Sequence, residues 1–187
     1  MKKRFTKTVG LILLALITLP VFGQENGNKF NLRLGIGYSI LGTGDILTLN
    51  YENELNYSLN QYFTTSFSLN LGKSNQDIYK ATSFIQSNLN IFISPFKNNK
   101  RNDFRIGTGL TYYKVSDAYR ESSYYENGKF VRNNYELNNR ISFGYNIIIE
   151  DSYFITKNLS IGLKLFTQPY FNGDINTGIL IKAGVRL

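Results

Sequence analysis

The chain contains no cysteine, no histidine and no tryptophan, and only three prolines among its 187 residues. Without cysteine there is no disulfide framework, no thiol nucleophile and no lipid-anchoring cysteine. Without histidine there is no Ser-His-Asp triad, and the commonest transition-metal ligand is missing. The glycine pairs, such as Gly35 and Gly37, do not precede a helix and predict no nucleotide loop. We therefore expect no cofactor, and an enzyme is the weakest class of function.

Long apolar runs are also scarce, and the one that exists is at the N-terminus, from Val9 to Leu19. Basic residues precede it, and residues that a signal peptidase tolerates follow it at Val21-Phe22-Gly23. The run is shorter than the ~20 residues that a membrane-spanning helix needs. We predict a signal peptide over residues 1–23 and a single mature domain over 24–187. Any membrane embedding of the mature chain must then use strands.

The formal net charge of +8 overstates the charge of the mature chain. Removing the leader takes away four basic residues and leaves 17 basic and 13 acidic side chains, a net charge of +4. No basic stripe with interleaved aromatic residues accompanies this modest excess. The sequence therefore predicts no nucleic-acid partner.

The most regular stretch runs from Phe84 to Tyr113 and reads as strand, polar turn, strand. On its first arm Ile85, Leu89 and Ile91 alternate with polar residues, which is the period of a strand with two unlike faces. The apolar face is bulky, whereas the other face carries Asn, Arg, Gly and Thr, which fill a soluble core poorly. An apolar outside and a polar inside are typical of a transmembrane β-barrel.

The rest of the chain repeats this pattern, and we count eight strands. They cover about 30–40, 46–57, 62–71, the two arms of 84–113, 136–149, 159–167 and 175–187. The sequence therefore predicts an all-β fold, an eight-stranded antiparallel up-and-down transmembrane β-barrel. An even strand number places both termini on one side, the periplasmic side. The outer connections are then 41–45, 72–80, 116–134 and 168–174, and the periplasmic ones are 58–61, 94–103 and 150–158.

The longest outer connection contains Asn127-Gly128, a strong signal for a two-residue hairpin turn. We expect the fifth and sixth strands to continue past the membrane as a ribbon folded at this turn. Tyr112 and Tyr113 would lie with the ribbon tyrosines at or above the outer interface. One interpretation is an aromatic girdle with a solvated loop. The other is a surface-binding loop for a glycan or a partner protein, formed by Tyr119, Tyr124, Tyr125, Asn127 and Gly128.

The inward face of the predicted barrel carries charges among small and polar residues. The charged set is Arg33, Glu52, Glu54, Arg105, Arg140, Lys164, Lys182 and Arg186. Buried charges must be paired or wetted, so we predict an interior ion-pair network centred on Glu52 and Glu54. A glycosidase-like acid and base at this pair is the alternative, but two carboxylates among many cations both stay ionised. Because six basic groups face two acidic ones, a narrow pore through this barrel would conduct anions in preference to cations.

Three segments carry a resemblance: Phe22-Gly23-Gln24, the hairpin SPFKNNKRNDFRIGTGLTYY and the closing GILIKAGVRL. With them the chain resembles small outer-membrane β-barrel proteins of Bacteroidota-type bacteria and, more distantly, the OmpA membrane domain and OmpX. The resemblance implies an eight-stranded barrel that resides in outer-membrane lipid and is folded by the outer-membrane assembly machinery. It implies no catalytic residues.

Several functions are compatible with these patterns. The leading hypothesis is a non-enzymatic integral outer-membrane barrel with a structural or surface-interaction role through its extracellular loops, contacting a surface glycan or a protein. The alternatives are a narrow pore or transport barrel and an accessory subunit of a secretion or surface-assembly complex. A soluble periplasmic barrel that binds an apolar ligand would need the two faces of the strands reversed.

Overall fold

The computed structural model describes residues 29–42, 46–74, 80–96, 101–127 and 129–187. The predicted signal peptide and Gly128 lie outside these residues. Among the described residues, no helix is long and apolar enough to cross a membrane.

Eight strands make up the described chain, and each pairs in antiparallel fashion with its neighbours in sequence. The first strand also pairs with the last, from Asn31 opposite Arg186 to Gly42 opposite Ile175, and this pairing closes the ring. The predicted eight-stranded antiparallel up-and-down barrel is confirmed. The strands are β1 Phe30–Gly42, β2 Ile46–Ser58, β3 Phe63–Ser74, β4 Lys80–Ile93, β5 Asn102–Glu126, β6 Lys129–Phe154, β7 Leu159–Pro169 and β8 Ile175–Arg186.

Side chains alternate between the two faces of the closed sheet, as the period of two requires. On β1 the side chains of Leu34, Ile36 and Tyr38 are exposed on the outer face, while Arg33 and Ser39 are buried in the lumen. The other strands follow the same rule, so large apolar side chains cover the outside of the barrel. The reversed arrangement, with apolar side chains lining a ligand pocket, is not the one adopted.

The lumen is less polar than the sequence predicted. Four apolar side chains, Phe92, Ile148, Phe166 and Leu180, form one buried cluster, and a second cluster contains Leu41, Phe84, Tyr113, Val115 and Tyr170. Tyr113 therefore points inward and not toward the outer interface. Several of these residues sit in runs such as Ile147-Ile148-Ile149, where both faces are apolar. Alternation carries no signal in such runs, which is why these inward residues were missed.

Two strands are much longer than the others. β5 has 25 residues and β6 has 26, and they pair as far as Glu126 opposite Lys129. Asn127 has a φ of 49°, the left-handed conformation that a tight hairpin turn needs. At the other end, β6 extends to Phe154 and β5 begins at Asn102. The predicted periplasmic connections 150–158 and 94–103 were therefore too long.

Candidate functional site: the charged lumen and the outer ribbon

An ion-pair layer crosses the lumen near the end that holds both termini. Its basic members are Arg33, Arg105, Lys164 and Lys182, each only about 1% exposed. Alternation on β1, β5, β7 and β8 directs all four inward. The carboxylates come from β2, β5 and β6, so six strands contribute to a single layer of charges.

Glu52 and Glu54 on β2 accept most of the contacts from the lysines. Lys164 Nζ lies 2.6 Å from Glu52 Oε2, and Lys182 Nζ lies 2.9 Å from a carboxylate oxygen of each glutamate. Arg105 donates to Glu54 at 2.8 Å. Asn56 also donates to Glu54, at 2.7 Å. Each carboxylate therefore has more than one cationic partner, an arrangement that suits salt bridges and not a glycosidase-like acid and base.

Two further carboxylates belong to this layer, and the sequence reasoning missed both. Glu150 on β6 accepts from Arg33 and, at 3.1 Å, from Arg105. Asp103 on β5 lies 2.6 Å from Arg33. The predicted connections 94–103 and 150–158 contain these two residues. Extending the alternation through Arg105 and through Ile149 would have placed both on the inward face.

Two of the predicted interior cations do not pair with Glu52 or Glu54. Arg140 binds Asp117 and Asp174 near the opposite end of the barrel, and Tyr113 also donates to Asp174. Arg186 places its guanidinium 3.8 Å from the centre of the Phe154 ring. Neither contacts Glu52 or Glu54, so the predicted network is two separate groups of ion pairs.

The charge balance of the lumen differs from the prediction. Among the described residues, the ion-pair layer has four basic and four acidic side chains, and the Arg140 group has one basic and two acidic. The six predicted cations thus face six carboxylates and not two. This balance removes the argument for an anion-preferring leak.

Between the two groups, amides and apolar side chains fill the lumen. Gln86 donates to Gln168 at 2.8 Å, and Asn146 donates to Asn90 at 2.6 Å. The guanidinium of Arg105 lies 4.0 Å from the centre of the Phe92 ring. Eight strands leave an interior just wide enough for side chains to fill, and these side chains occupy it. Among the described residues, no group of acidic side chains has the arrangement of a metal site.

The outer ribbon is the part of β5 and β6 that continues beyond the other strands. Tyr124 and Tyr125 are 50% and 60% exposed, and Tyr119 donates to Asp117 at the base of the ribbon. Arg132 lies over the Tyr124 ring at 6.0 Å, and Phe130 packs edge-on against Tyr125. The predicted surface-binding loop is divided between two parts of the ribbon. Its residues Tyr124, Tyr125 and Asn127 lie at the tip, and Tyr119 lies nearer the barrel.

No protein-family model matches the sequence, and no curated protein sequence does. Solved structures match in fold. Neisserial surface protein A has 12% identity and a TM-score of 0.64 over 87% of this chain and 100% of its own. A major outer membrane protein from Thermus thermophilus has 11% identity and a TM-score of 0.63, over 84% of this chain and 98% of its own.

A third solved structure is Ail, the attachment invasion locus protein of Yersinia pestis. It has 11% identity and a TM-score of 0.58 over 84% of this chain and 97% of its own. Ail has also been crystallised with the heparin analogue sucrose octasulfate. At these identities the likeness concerns the fold. The chain has the closed eight-stranded barrel fold of small outer-membrane proteins.

Proposed function

We propose that this protein is an integral outer-membrane barrel, that it is not an enzyme, and that it acts through its outer ribbon. The observation that carries the proposal is the combination of an apolar outer surface around a closed ring with a filled lumen. The predicted signal peptide supports export. The similar structures described above are, by their own names, surface or outer-membrane proteins, and the three sequence segments described earlier favour a Bacteroidota-type source.

Aromatic pairs at two levels of the outer surface support membrane insertion. Phe30 contacts Tyr57 with ring centres 5.0 Å apart near the end that holds the termini, and Tyr112 contacts Phe143 at 5.1 Å near the other end. Phe104 is on β5 at the terminal end, eight positions before Tyr112, which is ~26 Å along the strand. At the strand tilt of outer-membrane barrels this length projects to about 20 Å across the membrane, close to the height of their apolar band.

Insertion of the barrel is tested by gel mobility and by flotation. The folded protein, extracted in detergent, is expected to resist SDS until it is boiled and then to change mobility. Reconstituted protein is expected to float with lipid vesicles. A chain that stays in the aqueous phase without detergent and shows no heat-dependent shift would contradict the proposal.

The closed lumen gives a second expectation, which bears on the pore alternative. Ion pairs, amides and aromatic rings occupy successive levels of the lumen, so we expect no steady ion conductance in planar bilayers. The control is the same preparation with Glu52 and Lys164 both replaced by alanine, which opens space in the ion-pair layer and leaves three basic and three acidic side chains there. Steady conductance of the unmodified barrel would favour a pore. A stoichiometric partner recovered from membranes would instead favour an accessory subunit.

The surface-interaction role rests on the exposed tyrosines of the ribbon, because Tyr rings offer a large apolar face together with a polar hydroxyl. Replacing both Tyr124 and Tyr125 with alanine is expected to lower binding to immobilised glycans or to host-cell surfaces by about tenfold or more, which is ~1.4 kcal/mol. Tyr153→Ala at the terminal end is the matched control, since Tyr153 is similarly exposed at 45%. Equal binding by all variants would contradict the surface-interaction role and would favour the other interpretation, a solvated loop with an aromatic girdle.

A further inference from the structure

One edge of the outer ribbon has no strand beside it within the described part of the chain. β6 pairs with β5 over its whole length, but it pairs with β7 only from Ile147 to Phe154. A single bridge joins Gly144 to Tyr170, and the Phe171 N–H donates to the Phe143 carbonyl at 2.8 Å. From Ser142 to Lys129 no described strand lies on the β7 side. A long open edge of this kind is a template for pairing with another chain.

Two backbone hydrogen bonds show which residues present their peptide groups to this edge. The Phe143 carbonyl faces β7, whereas the Phe154 N–H donates to the Arg101 carbonyl on the β5 side at 2.7 Å. Backbone groups alternate between the two sides of a strand. The odd-numbered residues of β6 therefore direct their N–H and C=O groups toward the open edge. The pairing register with β5 shifts at two places, between Arg120 and Ser122 and between Tyr124 and Tyr125. The first shift adds a residue to β5, opposite Tyr135 and Asn134, and the second adds one to β6 below Arg132. The alternation of β6 itself is therefore continuous from Arg132 to Phe143.

The charges on this edge favour a second copy of the chain as the occupant. Arg132 and Glu136 are exposed, lie on the same face, and are four positions apart. Glu136 makes no ion pair within the described residues. When two β6 edges pair in antiparallel fashion about Asn134, Arg132 of each copy stands opposite Glu136 of the other. The pairing is isologous, so it contains this attractive contact twice.

The direction of pairing also decides where the two copies must be. Antiparallel strands related by a two-fold axis turn one barrel upside down relative to the other, so two such barrels cannot share a membrane. Two copies side by side in one membrane would pair in parallel, with each residue beside the same residue of the other copy. Arg132 of one copy would then lie ~13 Å along the strand from Glu136 of the other. Like charges would then be level, which disfavours that arrangement.

We propose that the open edge of β6 joins copies of this chain on two facing membranes by antiparallel strand pairing, with Arg132 opposite Glu136. The inference rests on the proposed function, because it requires inserted barrels with the ribbon outside. Asn134 is nine positions from Phe143 at the outer aromatic level, which is ~30 Å of strand. Two ribbons paired about Asn134 therefore bridge a gap of up to ~60 Å between membranes.

The test uses vesicles that carry the full mature chain, with protease access to the ribbon used to confirm its orientation. Vesicles with the unmodified protein are expected to cluster. Vesicles with Glu136→Arg, or with Arg132→Glu, are each expected to cluster at least about tenfold more slowly, because like charges then oppose one another. Mixing these two populations restores opposite charges at both contacts, so clustering is expected to recover. Recovery on mixing requires pairing between vesicles in this register.

Two further variants separate the strand edge from general charge effects. Glu121→Arg makes the same charge change on β5, away from the edge, and is expected to leave clustering unchanged. Asn133→Pro removes an N–H that faces the edge while keeping the ladder to β5, since proline is tolerated on edge strands, and is expected to abolish clustering. Flotation and the heat-dependent gel shift are measured for every variant.

The outcomes distinguish the two proposals. An unmodified chain that does not float with lipid overturns the proposed function, and this inference with it. A chain that inserts with its ribbon outside and does not cluster overturns the inference alone. Failure of the two charge variants to recover on mixing, or equal clustering by Asn133→Pro, also overturns it.

Discussion

Replacing Lys164 with methionine is expected to lower the free energy of unfolding by about 3–5 kcal/mol, because it leaves the ion-pair layer with an excess of buried negative charge. Lys164 lies 2.6 Å from Glu52 and 3.5 Å from Glu54, and all three side chains are at most 1% exposed. Replacing Glu52 with glutamine is expected to cost a similar amount, because an excess of buried positive charge then remains. The ionised groups left behind have little water with which to interact.

The double replacement distinguishes an ion-pair layer from simple packing. Glu52→Gln with Lys164→Met leaves three basic and three acidic side chains in the layer, and its cost is expected to be well below the sum of the single costs. Unfolding by urea from lipid vesicles is followed by circular dichroism, since the chain has no tryptophan. Lys157→Met in an exposed turn is the control, expected within about 0.5 kcal/mol of the unmodified protein. Additive single costs would contradict coupling within the layer.

Replacing Gly37 with alanine is expected to disrupt closure of the barrel. Gly37 is on the β1–β8 seam opposite Leu180. A Cβ atom there would lie 2.8 Å from the Leu180 Cα atom and closer still to the Ile179 carbonyl oxygen. Both are backbone atoms of the closing strand, so the clash cannot be relieved by rotating a side chain. We expect a loss of roughly 3 kcal/mol or more, beyond the usual cost of overpacking.

Gly35 provides the matched control for this substitution. It is two residues away on the same face of β1, opposite Lys182, and an added Cβ atom would lie 3.2 Å from the Lys182 Cγ atom, with side-chain atoms and not backbone as its nearest neighbours. Gly35→Ala is expected to retain the heat-dependent gel shift, whereas Gly37→Ala is expected to yield mostly the mobility of unfolded protein. Equal behaviour of the two variants would mean that the seam tolerates an added methyl group at both positions.

The charged lumen and the open ribbon have separate roles in this barrel. The ion-pair layer contains residues from six strands, so it can form only when the ring is closed. Closure of the barrel and formation of these ion pairs therefore depend on each other. The ribbon is outside the closed ring and keeps one edge of β6 exposed. The proposed function at the outer surface rests on these two features, the closed lumen and the exposed edge.

Alternation of apolar and polar residues determined the strand number and the two faces of each strand. It was sufficient because an apolar exterior and a polar interior repeat every second residue over most of the chain. Asn127-Gly128 likewise predicted the fold of the ribbon, although Gly128 is outside the described residues. Local sequence also placed Glu52, Glu54 and Arg105 on the inward face, since each follows the period of its own strand.

Only the tertiary structure decided which of these charges meet. Arg33 contacts Glu150, which is 117 positions away in the chain, and no local pattern encodes that distance. Closing the ring brings β1 and β6 to facing walls of a narrow lumen, and the height of each side chain along the barrel then selects its partner. The same geometry separates Arg140 from the ion-pair layer and places Arg186 against the Phe154 ring, although their strands alternate in the same way. The open edge of β6 also appears only in the tertiary structure, because it depends on where β7 stops pairing.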